Sequence, residues 1–108
     1  MLKYIAYCRK STDESQRQVL SIDAQIAELK ECAATHKLKI VETITEAKTA
    51  KSPGRMQFEQ MLKKIEKGEA NAILSWHPDR LARNSIDGGK IIYLLDIGQL
   101  LDLKFPSF

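Results

Sequence analysis

The chain has 108 residues and a mass of 12.3 kDa, 44% hydrophobic and 29% charged, the size and balance of one folded domain and too small for a second independent core. A formal net charge of +3 excludes a polycationic tail as the means of engaging nucleic acid, so any anion site has to be local. Apolar runs fall far short of the roughly 20 residues of a membrane span and no signal-peptide core opens the chain, so a cytoplasmic protein without a membrane partner is expected.

The segment Leu2 to Cys8 is rich in β-favouring residues and runs into the polar stretch Arg9-Lys10-Ser11-Thr12-Asp13-Glu14, which predicts a strand, a loop and then a helix. Val19, Ile22, Ile26, Leu29 and Ala33 recur at spacings of three and four, the stripe of a helix of about four turns packed on a sheet. Gln18, Ser21 and Gln25 follow the same spacing one position earlier and read as a polar rim beside the buried face. Leu38 to Thr45 is a second strand, followed by a loop from Glu46 to Arg55 that is rich in small residues, lysine and Pro-Gly. Phe58, Met61, Leu62 and Ile65 mark a short amphipathic helix stopped by Gly68. Ala72 to Trp76 is a short buried strand, with Trp76 as a core aromatic, and His77-Pro78-Asp79 breaks it. Asn84 or Ser85 caps a last helix through Ile86, Ile91 and Leu94, and Leu100 to Phe105 is a closing strand.

The order β-α-β-α-β-α-β predicts an α/β domain with a mostly parallel sheet of about four strands and helices on both faces. Ligands of such sheets collect beyond the carboxyl ends of the strands. Two segments are expected there: Arg9-Lys10-Ser11 after the first strand and Asp79-Arg80-Leu81-Ala82-Arg83 after the third. Arginines gathered around one serine suit phosphoryl transfer, because each guanidinium stays charged and offers a planar fork to two phosphate oxygens. Cys8 and Cys32 lie inside apolar patterns and read as reduced packing residues, and no Cys/His ligand spacing or glycine-rich phosphate loop appears, so neither a metal nor a cofactor is expected.

Each residue has an ordinary alternative. Ser11 and Thr12 could be helix-entry residues, Asp79 with Arg80 and Arg83 a helix start with solvated side chains, His77 a turn residue, and His36 a surface residue. The argument for a site is the convergence of several such residues at one sheet edge.

The combined pattern Tyr7-Cys8-Arg9-Lys10-Ser11-Thr12-Asp13-Glu14, Ser21-Ile22-Asp23-Ala24-Gln25 and Asp79-Arg80-Leu81-Ala82-Arg83 resembles the serine recombinases, the resolvase/invertase family. It looks most like the catalytic domain of the large serine integrases and related mobile-element recombinases. The resemblance implies that Ser11 is a nucleophile that attacks a DNA phosphodiester and becomes joined to the 5′ phosphate, leaving a free 3′ hydroxyl. It implies that Arg9, Arg80 and Arg83 grip the scissile phosphate, that Arg55 is a further active-site arginine, and that Asp79 donates a proton or orients an arginine. Gln25 matches a glutamine beside the site, with Gln18 and Thr49 as possible supporting residues.

The activity implied is site-specific DNA cleavage and rejoining by two transesterifications, needing no cofactor or metal. The partners implied are DNA and other recombinase subunits, a dimer on each site and a tetramer in the synapse. Residues 1–108 would be an N-terminal resolvase-like catalytic domain truncated at its C-terminal end, without the long dimerisation helix and DNA-binding region, and inactive alone in full recombination. The alternative is a noncatalytic recombinase remnant serving as a protein-interaction module.

Overall fold

A computed structural model describes residues 1–10 and 20–107. Ser11, Thr12, Gln18 and Val19, which carry expectations from the sequence, lie outside the described residues. The elements run β1 (Lys3–Arg9), α1 (Ile22–His36), β2 (Lys39–Glu46), α2 (Met56–Glu66), β3 (Ala72–Ser75), α3 (Pro78–Leu81), α4 (Ser85–Asp96) and β4 (Asp102–Lys104).

The four strands form one sheet in the order β2-β1-β3-β4, and every pairing is parallel. β1 is interior and buried from Tyr4 onward, as a strand covered on both faces must be. Its alternate residues feed two cores. Tyr4, Ala6 and Cys8 pack with Leu29 and Ala33 of α1, and with Ile22 and Ile26, the helical stripe read from the sequence. Ile5 and Tyr7 face the other way, onto Phe58, Met61, Leu62 and Ile65 of α2 and Ile91 and Leu94 of α4. Helices therefore cover both faces of an all-parallel α/β sheet.

The chain passes from β1 outward to β2, then returns to the opposite side of β1 for β3. This reversal makes the gap between the carboxyl ends of β1 and β3 a topological switch point, where neighbouring connections diverge and leave a crevice.

Several local expectations need correction. The stretch after β3, expected only to break the strand and carry the second arginine motif, contains a short helix, α3, from Pro78 to Leu81. The Ser21 hydroxyl accepts the amide of Ala24 at 3.1 Å and caps α1, so the helix begins at Ile22 rather than at Val19. Trp76 is only half-buried, and its indole N–H donates to Glu28 at 2.7 Å. α4 continues through Gly88 and Gly89 because Asn84 caps it, accepting the Asp87 amide at 2.9 Å. Among the described residues, no helix is long and apolar enough to cross a membrane.

Candidate active site

The site is built from the ends of β1, β2 and β3 and the segments that follow them. Lys10, the last described residue before Ser11, still donates its amide to the Glu46 carbonyl at 3.1 Å, so sheet bonding holds the backbone up to that point. One step earlier, Gln25 of α1 grips Arg9 as a strand neighbour does. Its Oε1 accepts the Arg9 amide at 3.2 Å and its Nε2 donates to the Arg9 carbonyl at 2.9 Å. The same Nε2 donates to the Leu20 carbonyl at 3.0 Å. One buried amide thus ties Arg9 at the end of β1 to Leu20 just before α1.

Arg9 is fully buried, and its guanidinium is directed at backbone carbonyls. Nε donates to Arg80 at 3.1 Å, Nη1 to Lys48 at 3.0 Å and Nη2 to Asp79 at 2.9 Å. Arg80 returns the contact through Nη1 to the Arg9 carbonyl at 3.3 Å. The two arginines are therefore interlocked across the switch point, although 71 residues separate them.

Arg83 is exposed on the connection from α3 to α4, and its amide is anchored to the Ala50 carbonyl at 3.0 Å. Ala50 also accepts from Asn84 Nδ2 at 3.2 Å. The carbonyls of Lys48 and Ala50 make the loop after β2 a bracket between Arg9 and Arg83. Thr49, inside that loop, accepts the Lys51 amide at 3.1 Å, the geometry of a local turn. Asp79 is exposed, its amide donating to His77 Nδ1 at 3.1 Å.

Arg55 is placed apart from the Arg9 and Arg80 interlock, in a buried network that the sequence reading missed. Its Nη2 pairs with Asp87 at 3.0 Å and its Nη1 donates to the Tyr7 hydroxyl at 3.0 Å. The guanidinium carbon lies 4.1 Å from the centre of the Phe58 ring. Tyr7 in turn donates to Glu46, whose two carboxylate oxygens accept the amides of Gln57 at 2.9 Å and Phe58 at 3.0 Å. Glu46 thereby caps α2, supplying negative charge at the positive end of the helix and acceptors for its first turn. Burial and the Glu46 contact push the Tyr7 hydroxyl pKa upward, with Arg55 opposing, so it stays protonated.

The sequence carries only a partial signal for this network. Ile44 and Glu46 share a face of β2 with the exposed Glu42, so alternation alone does not turn Glu46 inward, and Asp87 falls three residues after the capping Asn84. Both were passed over because acidic residues at strand ends and helix starts are usually solvated. Among the described residues, no group of three or more His, Cys, Asp and Glu is arranged to hold a metal ion.

The Resolvase, N terminal domain family model matches residues 4–100 of the chain. Among solved structures, the fold is similar to the C-terminal catalytic domain of ISC1926 TnpA, an IS607-like serine recombinase. That match has a TM-score of 0.79 at 20% identity, over 99% of this chain and 68% of that one. It is similar to the N-terminal catalytic domain of TP901-1 integrase, with a TM-score of 0.75 at 23% identity, over 94% of this chain and 75% of that one. It is also similar to a resolvase family site-specific recombinase from Streptococcus pneumoniae, with a TM-score of 0.73 at 26% identity, over 96% and 72% of the two chains. No curated protein matches the chain.

Proposed function

From the premise that this chain belongs to the resolvase family of serine recombinase catalytic domains, we propose that it cleaves and rejoins DNA at specific sites, with Ser11 as nucleophile. The observation that carries this reading is the interlock of Arg9 with Arg80 at the switch point. It sets the residue preceding Lys10 and Ser11 against the helix that bears the second arginine motif.

In the proposed reaction the Ser11 Oγ attacks the phosphorus of a phosphodiester. An Oγ–P bond forms, the bond from phosphorus to the 3′ oxygen breaks, and the proton lost by serine is balanced by the one gained at the 3′ hydroxyl. One phosphodiester replaces another, so the bond energy is kept and the step reverses on a new 3′ hydroxyl without a nucleotide cofactor. The extra negative charge of the five-coordinate transition state needs fixed cations more than it needs a metal.

Arg80, which lines a small cavity with Trp76, His77 and Asp79, and Arg83, exposed on the connection from α3 to α4, are suited to contact the phosphate. Arg9 binds three carbonyls in this arrangement and is better placed to position the strand end and α3 than to reach outward. Gln25 is a positioning residue for the same strand end, and Arg55 acts through Tyr7 and Asp87 in supporting it. DNA and further recombinase subunits are the partners this reading requires.

The strand polarity of cleavage tests the reading. Duplex DNA carrying the junctions that flank the gene is incubated with the protein and resolved under denaturing conditions. The expected product has a free 3′ hydroxyl that a polymerase extends and a 5′ end blocked by protein. A free 5′ phosphate, or cleavage that requires an added divalent ion, contradicts it.

A further inference from the structure

The sequence marks Asn84 as a helix cap, and capping accounts for one of its three side-chain hydrogen bonds. Its Oδ1 accepts the Asp87 amide at 2.9 Å. Its Nδ2 donates twice, to Asp87 Oδ2 at 2.9 Å and to the Ala50 carbonyl at 3.2 Å. The donor side of the amide is therefore used in full, and its orientation is fixed, because an N–H needs an acceptor at one end and two oxygens need donors at the other. Serine, threonine or aspartate would cap the helix as well, but none of them can make both donations.

One of those donations reaches the loop after β2 at the same carbonyl, Ala50, that accepts the Arg83 amide at 3.0 Å. Two residues earlier in that loop, the Lys48 carbonyl accepts Arg9 Nη1 at 3.0 Å. Arg9 and Arg83 thus hang from one short stretch of backbone. Arg83 is exposed, and among the described residues its guanidinium has no hydrogen-bond or ion-pair partner, so the path of its backbone is what aims it. The neighbouring side chain that grips the loop beside it is Asn84. The other donation ties Asn84 to Asp87, which pairs with buried Arg55 at 3.0 Å, so the grip is anchored in the core.

We propose that Asn84 is a positioning residue for Arg83: by holding the Ala50 carbonyl it fixes the connection from α3 to α4 against the loop after β2 and keeps the Arg83 guanidinium where it meets a DNA phosphate. The inference rests on the reading that Arg83 contacts phosphate and adds the residue that places it.

The test is a double-mutant cycle on binding of the protein to a short duplex DNA carrying the flanking junctions, followed by fluorescence anisotropy over a series of sodium chloride concentrations. Asn84→Ser keeps an oxygen that caps α4 and loses the paired donations. It is expected to weaken binding about three- to tenfold, and Arg83→Ala by about the same factor. In the Arg83→Ala background, Asn84→Ser is expected to add less than about twofold, since the residue it acts through is gone. Losing one phosphate contact flattens the dependence of log affinity on log salt by about 1. Asn84→Ser is expected to flatten it as Arg83→Ala does, although it removes no charge; a merely structural role would leave the slope alone.

Full affinity in Asn84→Ser, the same loss in both backgrounds, or an unchanged slope overturns the role of Asn84 and leaves the phosphodiester reading intact. Parental affinity and slope in Arg83→Ala remove Arg83 from that reading and overturn this inference with it. No binding by the unaltered protein at low salt overturns both. Where Asn84→Ser fails to fold, hydrogen exchange in the unaltered protein decides: the Arg83 amide is expected to be protected and to gain protection when the duplex binds, and an amide that exchanges freely, or that the duplex leaves unchanged, overturns the proposal.

Discussion

Removing the Asp87 carboxylate is expected to be the most damaging single change in the network beneath the site. Arg55 and Asp87 have side chains only 2% and 0% exposed, so Asp87→Ala leaves a guanidinium in the core without its carboxylate. Breaking a buried pair from one side costs about 3–5 kcal/mol. Here Arg55 keeps the Tyr7 hydroxyl at 3.0 Å and the Phe58 ring at 4.1 Å, contacts that hold part of the charge, which places the expected loss near the lower limit, about 3 kcal/mol. Domains of this size have about 5–15 kcal/mol in total, so a large share of the stability goes.

The pair itself contributes less than that loss suggests. Among the described residues, Arg55 Nε and Asp87 Oδ1 are buried without a hydrogen-bond partner, and each such atom costs about 1–3 kcal/mol. Replacing both members by apolar residues, Arg55→Met with Asp87→Leu, is therefore expected to recover most of the loss. Urea unfolding reads the difference. With a slope of about 1–3 kcal/mol per molar, Asp87→Ala lowers the midpoint by about 1 M or more, and the double variant returns toward the parent. The half-exposed Lys64 and Glu42 pair is the control, with Glu42→Ala costing under about 1 kcal/mol. An Asp87→Ala loss below about 1 kcal/mol, or a double variant as unstable as the single, would refute the reasoning.

Other outcomes follow from the same structure. Glu46→Ala strips two amide contacts from the first turn of α2 and is expected to cost about 2–3 kcal/mol in chemical denaturation, with hydrogen exchange quickening first at Gln57 and Phe58. Gln25→Leu removes the acceptor of the Arg9 amide, while the Arg9 carbonyl keeps Arg80, so exchange at the Arg9 amide is expected to accelerate at least tenfold while β3 stays protected. Tyr4 has its pKa pushed up to about 12 by burial and by its Asp102 contact, and Tyr7 is pushed up as well. The folded state therefore holds these protons more tightly than the unfolded chain. Their contribution is complete below about pH 10 and is lost as pH rises toward 12, so the melting temperature should fall across that window and recover in Tyr4→Phe. The buried Cys8 thiol, raised to about 11, is expected to resist iodoacetamide in the native protein at pH 8, while half-buried Cys32 is alkylated.

The parts of this fold that were legible in the sequence are those governed by periodicity. The Ile22, Ile26, Leu29 and Ala33 stripe and the Phe58 to Ile65 stripe each have one dominant period, and packing had no competing alternative to choose. The neighbourhood of Arg9 and Arg80 was also legible, because parallel topology alone brings the ends of β1 and β3 to one edge. The polar interior was not. Whether Glu46, Asp87 and Tyr7 point into solvent or into the core depends on which element covers each strand end, a tertiary fact with no local signature. Arg55 shows the same limit: motif spacing groups it with the other arginines, while its partners are set by the packing of α2 against α4. α3 was missed because four residues are too few to show a helical period.

The central claim concerns one bond, and it can be read directly. The protein is incubated with DNA bearing the flanking junctions, denatured, digested with nuclease and protease, and the surviving nucleotide-linked peptide is sequenced by mass spectrometry. The account predicts a 5′-phosphonucleotide on Ser11 and no such peptide from Ser11→Ala. A linkage at any other residue, or one that persists in Ser11→Ala, would contradict it.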